Sequence, residues 1–235
     1  MKTLTSTLVA AIAATWVSAA AAITISDPSD WASGWALSGV TLGGVGTATA
    51  VVEATSGNPG QRLNVTTVTP VVADVAFGLA LYQNTATAAP LAGTAFSMQF
   101  DVLGGAGAFG QGQAIMILVE QAGTVYYQQL GVTGFPIASF TTQTYNGAFN
   151  AASFTRVIGA GPLTPSFDGV TPTHYGFGAG NSGSATLTQY YDNWSVTFAQ
   201  PVLASVPVPV LPAALLAFLT LILAVAGLRV LRRSR

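Results

Sequence analysis

From Ile23 to about Gln200 the apolar positions recur every second residue, and no stretch shows the three-to-four spacing of an amphipathic helix. Phe96, Met98, Phe100 and Val102 fall on one face of a strand, with Ser97, Gln99 and Asp101 on the other. Ile115, Ile117 and Val119 repeat the pattern, as do Trp194, Val196 and Phe198. Further strands are predicted over 47–53, 61–69, 71–82, 125–132, 153–158, 174–179 and 186–191. Turn clusters separate them: Ser56-Gly57-Asn58-Pro59-Gly60, Gly104 to Gly112, Asn146-Gly147, Asp168-Gly169 and Gly180 to Gly183. Many short strands with regular turns predict an all-β fold, a single antiparallel β-sandwich or jelly roll over 23–200. No internal repeat is visible.

Both ends break the alternation. Met1-Lys2-Thr3-Leu4 leads into an apolar run from Leu8 to Val17, then Ser18 and four alanines. A basic start, an apolar centre and a small-residue site are the parts of a secretory signal, so residues 1–22 are expected to be removed by signal peptidase after Ala22. At the other end, residues 210–228 carry no charge, and as a helix they would run roughly 28 Å, about a bilayer's hydrocarbon thickness. Arg229, Arg232, Arg233 and Arg235 follow in residues 229–235. By the positive-inside rule this basic tail stays cytoplasmic, behind a transmembrane helix at 210–228.

Residues 201–209 form a Pro-rich linker into that span. Val206, Pro207, Val208 and Pro209, followed by Leu211, Pro212 and Ala213, resemble the VPLPA-type C-terminal sorting signals of the PEP-CTERM group. The consensus is stretched here, with Leu211-Pro212-Ala213 set apart from the first two prolines. The resemblance covers about the last 30 residues and implies processing by an exosortase-type transpeptidase at the membrane. Two other strings, Gly57-Asn58-Pro59-Gly60 and Tyr190-Tyr191-Asp192-Asn193-Trp194-Ser195-Val196, resemble jelly-roll domains of extracellular proteins, carbohydrate-binding modules among them. The opening segment Ser26-Asp27-Pro28-Ser29-Asp30-Trp31 fits their first strand and loop. That resemblance implies a structural Ca²⁺ between opening segment and closing strand, held by Asp192 with Asp27 or Asp30.

Composition narrows the function. Only 6% of the 235 residues are charged, against about 25% in ordinary soluble domains, and 26 Gly and 12 Pro agree with strands and turns. Between residues 23 and 205 eight acids face two arginines, Arg62 and Arg156. Six negative charges are left over, and nucleic acid, which needs a basic face, is excluded as a partner. The absence of cysteine excludes disulfides and thiol chemistry.

The chemistry-bearing motifs are sparse. Gly105 to Gly110 matches G-x-G-x-x-G, but a strand pattern follows it where a nucleotide site needs a helix, so it reads as a hairpin loop. His174 is the only histidine and no nucleophile elbow accompanies it, so a solvated or core-edge position is expected. Asp101 and Glu120 are placed on neighbouring strands as outward, solvated acids. The aromatics Trp31, Trp35, Tyr82, Tyr126, Tyr127, Tyr145, Tyr175, Tyr190, Tyr191 and Trp194 divide between core and a sugar-stacking platform. Tyr126 and Tyr127 are the pair to watch, because one of two consecutive strand residues faces out. No catalytic residue is assigned. The expectation is an exported, surface-sorted structural or adhesive protein of an exopolysaccharide matrix; the alternatives are a carbohydrate-binding module and a secreted glycoside hydrolase. Aromatics in an outward cleft would favour the binding module, and converging carboxylates in a groove would favour the hydrolase.

Overall fold

The computed structural model describes residues 21–27, 31–71, 74–107 and 112–199. The expected signal segment up to residue 20, the sorting motif, the span at 210–228 and the basic tail lie outside the described residues.

Twelve strands follow in order: β1 Ala22–Ser26, β2 Trp35–Leu42, β3 Thr47–Gly57, β4 Gly60–Thr69, β5 Val75–Ala88, β6 Ala95–Gly104, β7 Ala114–Gln121, β8 Thr124–Val132, β9 Thr141–Ala148, β10 Thr155–Ile158, β11 Pro172–Ser182 and β12 Ala185–Ala199. A single 3₁₀ turn, Ala151–Ser153, is the only helical element among the described residues, and none there is long and apolar enough to cross a membrane. The first sheet has the order β3-β4-β12-β6-β9, and β1 pairs with the far end of β12. The second runs β10-β8-β7-β11-β5-β2. Every pairing is antiparallel and most connections cross between sheets, which gives a β-sandwich of jelly-roll type.

The core lies between the sheets. Phe96, Met98, Phe100 and Val102 of β6 face Ile115, Ile117 and Val119 of β7 and Tyr175 and Phe177 of β11, all buried. Aromatic rings knit it together: Phe149 packs on Phe96, Phe167, Tyr175 and Phe198 with centroids 4.7–5.9 Å apart. Each such ring contributes about 1.5–3 kcal/mol by leaving water. β12 enters the core in two phases. Leu187, Gln189 and Tyr191 face inward, then Asn193 takes a left-handed φ of 51° and the register with β6 slips between Asp192 and Ser195. After this bulge Trp194, Val196 and Phe198 are the buried ones.

The second sheet is apolar on both faces. Its reverse face carries Phe77, Leu79, Leu81, Met116, Leu118 and Val125, a second buried cluster. β11 puts glycines there, at 176, 178 and 180, and a Cβ on Gly178 would lie 3.2 Å from both Leu79 and Leu118. Side chains of β5 and β7 therefore close over the glycine strand. Burial on both faces explains why β5 reads as a continuous apolar run.

Some expected boundaries move. Asn146-Gly147 is not a turn but lies within β9, where Ser97 pairs with Asn146 and Phe96 with Gly147. A Cβ at Gly147 would sit 2.5 Å from the tip of the Phe96 ring, so the glycine makes room for that ring. Gly180 likewise belongs to β11, and the turn is confined to Gly183 and Ser184. β9 and β2 were not foreseen as strands. Gly147→Val should lower the free energy of unfolding by about 1–3 kcal/mol through overpacking. Urea denaturation reads this directly, and an unchanged midpoint would mean the Phe96 ring does not rest on residue 147.

Candidate functional site

Three groups of polar side chains among the described residues bear on function. The first is on the exterior face of the first sheet, at the β12 bulge. Asp101 and Asp192 are cross-strand partners, and both are buried. The turn after β3 folds over them: the Asn58 backbone N–H donates to Asp192 Oδ2, and the Asn58 amide reaches Asp101 Oδ2 at 3.2 Å. Asn193 donates its side-chain amide to Asp101 at 2.8 Å, and the Thr142 hydroxyl donates to the other Asp101 oxygen at 2.6 Å. Asp101 is therefore not the solvated acid expected. It anchors the β3–β4 turn to the bulge.

Nor does Asp101 pair with Glu120, which lies on β7 of the other sheet. Glu120 holds the His174 ring, Oε2 to Nδ1 at 2.8 Å, and accepts the Gly123 N–H with its other oxygen. The acids named for calcium have separate engagements. Asp27 accepts the Trp31 N–H and, at 2.8 Å, the Trp35 indole N–H. Asp30 lies outside the described residues. Among the described residues no three His, Asp or Glu side chains form a group that could hold a metal ion.

The second place is internal. Gln189 on β12 and Gln113 just before β7 are fully buried. Gln189 Oε1 accepts the Gln113 backbone N–H at 2.6 Å and the Thr133 hydroxyl at 2.9 Å, and its amide donates to the Gly134 carbonyl at 2.9 Å. The Gln113 amide donates to the Thr67 hydroxyl at 3.1 Å and the Val65 carbonyl at 3.2 Å. The Tyr191 hydroxyl donates to Gln113 Oε1 at 2.8 Å. Burial pushes the Tyr191 phenol well above its ordinary range, so it is a permanent donor there.

The third place is a cleft of about 610 Å³ at one end of the second sheet's reverse face. Phe77 and Tyr127 stand side by side on its wall, with ring centroids 5.2 Å apart. Gln129, Asn181, Ser182 and Thr133 supply polar groups, and Val75 and Val132 complete the rim. Asn181 commits its amide nitrogen to Thr69 at 2.9 Å, which leaves its carbonyl for an incoming donor. Among the described residues no charged side chain lines the cleft.

Of the two tyrosines singled out in the sequence, Tyr126 is in the core with its hydroxyl on the Pro162 carbonyl at 3.0 Å, and Tyr127 is the half-buried one in the cleft. Trp31, Tyr82, Tyr175, Tyr191 and Trp194 are buried. Trp35 packs between Trp31 and Tyr82 at 4.3 and 5.1 Å, and Tyr190 lies under the Arg62 guanidinium at 3.4 Å. Arg62 in turn holds Glu53 at 2.6 Å. Partial burial raises the Glu53 carboxyl, but hydrogen bonds from Asn64 and Arg62 outweigh it and hold the group below its usual value. The cleft's Asn181 and Gln129 were not foreseen, because nothing in sequence separates a cleft amide from a solvated one. Gly105 to Gly107 follow β6 outside any helix, and residues 108–111, with the rest of that motif, lie outside the described residues.

Asp101→Ala would strand the donors on Asn58, Asn193 and Thr142, a loss of about 1–3 kcal/mol for unsatisfied groups. Chemical denaturation measures it, and a variant as stable as the parent would show that those donors find water instead.

No family model matches the chain, and no curated protein sequence matches it. Solved structures do. A family 11 carbohydrate-binding module of a cellulosomal cellulase from Clostridium thermocellum is 12% identical over 78% of this chain and 97% of its own, with a TM-score of 0.42. A xylan-binding domain from Paenibacillus barcinonensis is 11% identical over 78% and 98%, with a TM-score of 0.41. The N-terminal cellulose-binding domain of a Cellulomonas fimi β-1,4-glucanase is 14% identical over 69% and 87%, with a TM-score of 0.33.

Proposed function

We propose that this sandwich binds carbohydrate, and that its ligand is an uncharged polysaccharide held in the Tyr127 cleft. One observation carries the reading: an open groove walled by the half-buried Tyr127 ring, which buried Phe77 backs, flanked by amide and hydroxyl groups and, among the described residues, free of ionic side chains. Sugar rings lay their C–H faces on aromatic rings while amides and hydroxyls take the ring hydroxyls. The volume falls within the usual 300–1,000 Å³ or so of ligand sites. An open aromatic groove favours this over a purely structural matrix role, which has no need of one. The lining also suits binding better than hydrolysis, since among the described residues no carboxylate borders the cleft to act as acid or nucleophile.

The charge pattern supports a neutral ligand. Eight acids against two arginines give residues 23–205 a field that repels uronates and sulfates. Both arginines are occupied elsewhere, Arg62 with Glu53 and Arg156 with the Gly161 carbonyl. Affinity electrophoresis should show retardation in gels containing neutral glucan or xylan and none with alginate or polygalacturonate. Tyr127→Ala should weaken the retardation about tenfold, the equivalent of about 1.4 kcal/mol. Free migration in every neutral gel, or a Tyr127→Ala variant that binds as well as the parent, would overturn the reading.

The chain is further proposed to work outside the cytoplasm, sorted through its C-terminus. The tripartite start, the Pro-rich Val206 to Ala213 stretch and the arginines behind residues 210–228 support this. N-terminal sequencing of the membrane fraction should begin near Ile23. In cells with the matching transpeptidase, mass spectrometry should find a C-terminus between residues 206 and 213. Recovery of full-length protein from Met1 to Arg235 alone would refute the processing.

A further inference from the structure

Two stretches that do not neighbour each other in sequence form the closed end of the cleft. Gly112 precedes β7, Val132 ends β8 and Thr133 follows it. They touch closely, since a Cβ on Gly112 would lie 1.9 Å from the Thr133 carbonyl oxygen. The Thr133 N–H donates to the Gln113 carbonyl at 3.0 Å. Beneath them sits Gln189, which does not line the cleft. Its one carboxamide reaches both stretches, taking the Gln113 N–H and the Thr133 hydroxyl on Oε1 and giving its own N–H to the Gly134 carbonyl.

We propose that Gln189 is a positioning residue that clamps residues 112–113 to 133–134 and so sets the shape of the cleft; the binding consequence rests on the carbohydrate reading above, but the clamp itself does not. A glutamine suits the task because a carboxamide accepts on one side and donates on the other. Leucine of similar size would leave the Gln113 N–H and the Gly134 carbonyl without this partner, and such groups in buried surroundings open readily. The Gln113 N–H on Oε1 and the Gly134 carbonyl on the amide set which way the carboxamide faces, and the Tyr191 hydroxyl, bonded to Gln113 Oε1, lies 3.1 Å from the same Gln189 oxygen. Holding the two stretches before ligand arrives removes an ordering cost from binding.

Hydrogen–deuterium exchange of the full chain tests the clamp without ligand. Gln189→Glu keeps the accepting oxygens but has no N–H for Gly134, and Gln189→Met removes every bond. Both should exchange about tenfold faster in the peptides spanning 112–113 and 132–134, with the other strands unchanged. Tyr191→Phe should give a smaller rise in the same peptides. Phe167→Leu, in the Phe149 cluster, serves as the control for general destabilisation and should leave these peptides as they are. Unchanged exchange at 112–113 and 132–134 in Gln189→Glu, or a rise spread evenly over all strands, would overturn the clamp. If Gln189→Met does not fold, Gln189→Glu decides. In gels of whichever neutral glycan retards the parent, Gln189→Glu should lose affinity about tenfold while Phe167→Leu keeps it. A parent that binds no glycan defeats the carbohydrate reading, and the exchange data then judge the clamp alone.

Discussion

The bulge at Asn193 is the constraint on which the sandwich turns. β12 runs through the middle of the first sheet, with β6 along one side and β4 and β1 sharing the other. A regular strand alternates faces without interruption, so Tyr191 and Trp194, three residues apart, could not both point inward. The left-handed φ at Asn193 inserts the extra residue that allows it. Tyr191 then packs on Phe177 and Phe100 in one half of the core, and Trp194 meets Trp35 in the other. The bulge needs support from outside, and the Asp101–Asn58–Asn193 contacts hold it to the neighbouring strand and turn. Asparagine tolerates that φ better than most residues, which fits its place here.

The same strand connects the core to the cleft. Before the bulge its inward phase includes Gln189, which is fully buried. A leucine there would meet backbone N–H and carbonyl groups of residues 113 and 134 that no strand satisfies. The carboxamide meets them instead. The cleft lies at one end of the second sheet: Gly180 of β11 leaves room in it, Phe77 and Tyr127 stand on its wall, and Gly112 and Thr133 border it.

β7, buried on both faces, lies where the apolar run Ile115 to Val119 places it. β6 was legible because period-two alternation is what a half-buried strand produces, and it lies where Phe96 to Val102 place it. β9 was not, since Thr141-Thr142-Gln143-Thr144 on a sheet edge needs no apolar face and leaves no pattern. Asn146-Gly147 misled for a related reason. Glycine marks both turns and close approaches, and only the Phe96 ring across the sheet tells them apart. The site was less legible still. Tyr127 was within reach, because consecutive tyrosines in a strand must split between faces. Asp101 reads as a solvated acid and neither Gln113 nor Gln189 stands out, because their burial depends on contacts far away in sequence. The one available sign was phase: Gln189 stands two residues from Leu187 and two from Tyr191, in the buried register.

Scarcity of charge shapes the rest. With only 6% charged residues the domain cannot hold its loops by ion pairs, and it uses amides and hydroxyls in their place. Asp168 shows the pattern at the surface. The Thr171 hydroxyl first, then the Thr171 and Val170 N–H groups, hold its carboxyl well below the usual range and fix the loop before β11. Neutral hydrogen bonds are short-ranged and little affected by salt, whereas exposed ion pairs fade as the Debye length shrinks. A surface built this way exerts little long-range pull on a charged partner. Recognition by such a domain must come from close fit: flat rings against a ligand face, and amides whose direction is already set by bonds behind them. Asn181, tied to Thr69, and Thr133, tied to Gln189, are both set in that way. The cleft is polar without being ionic because the chain that builds it is too.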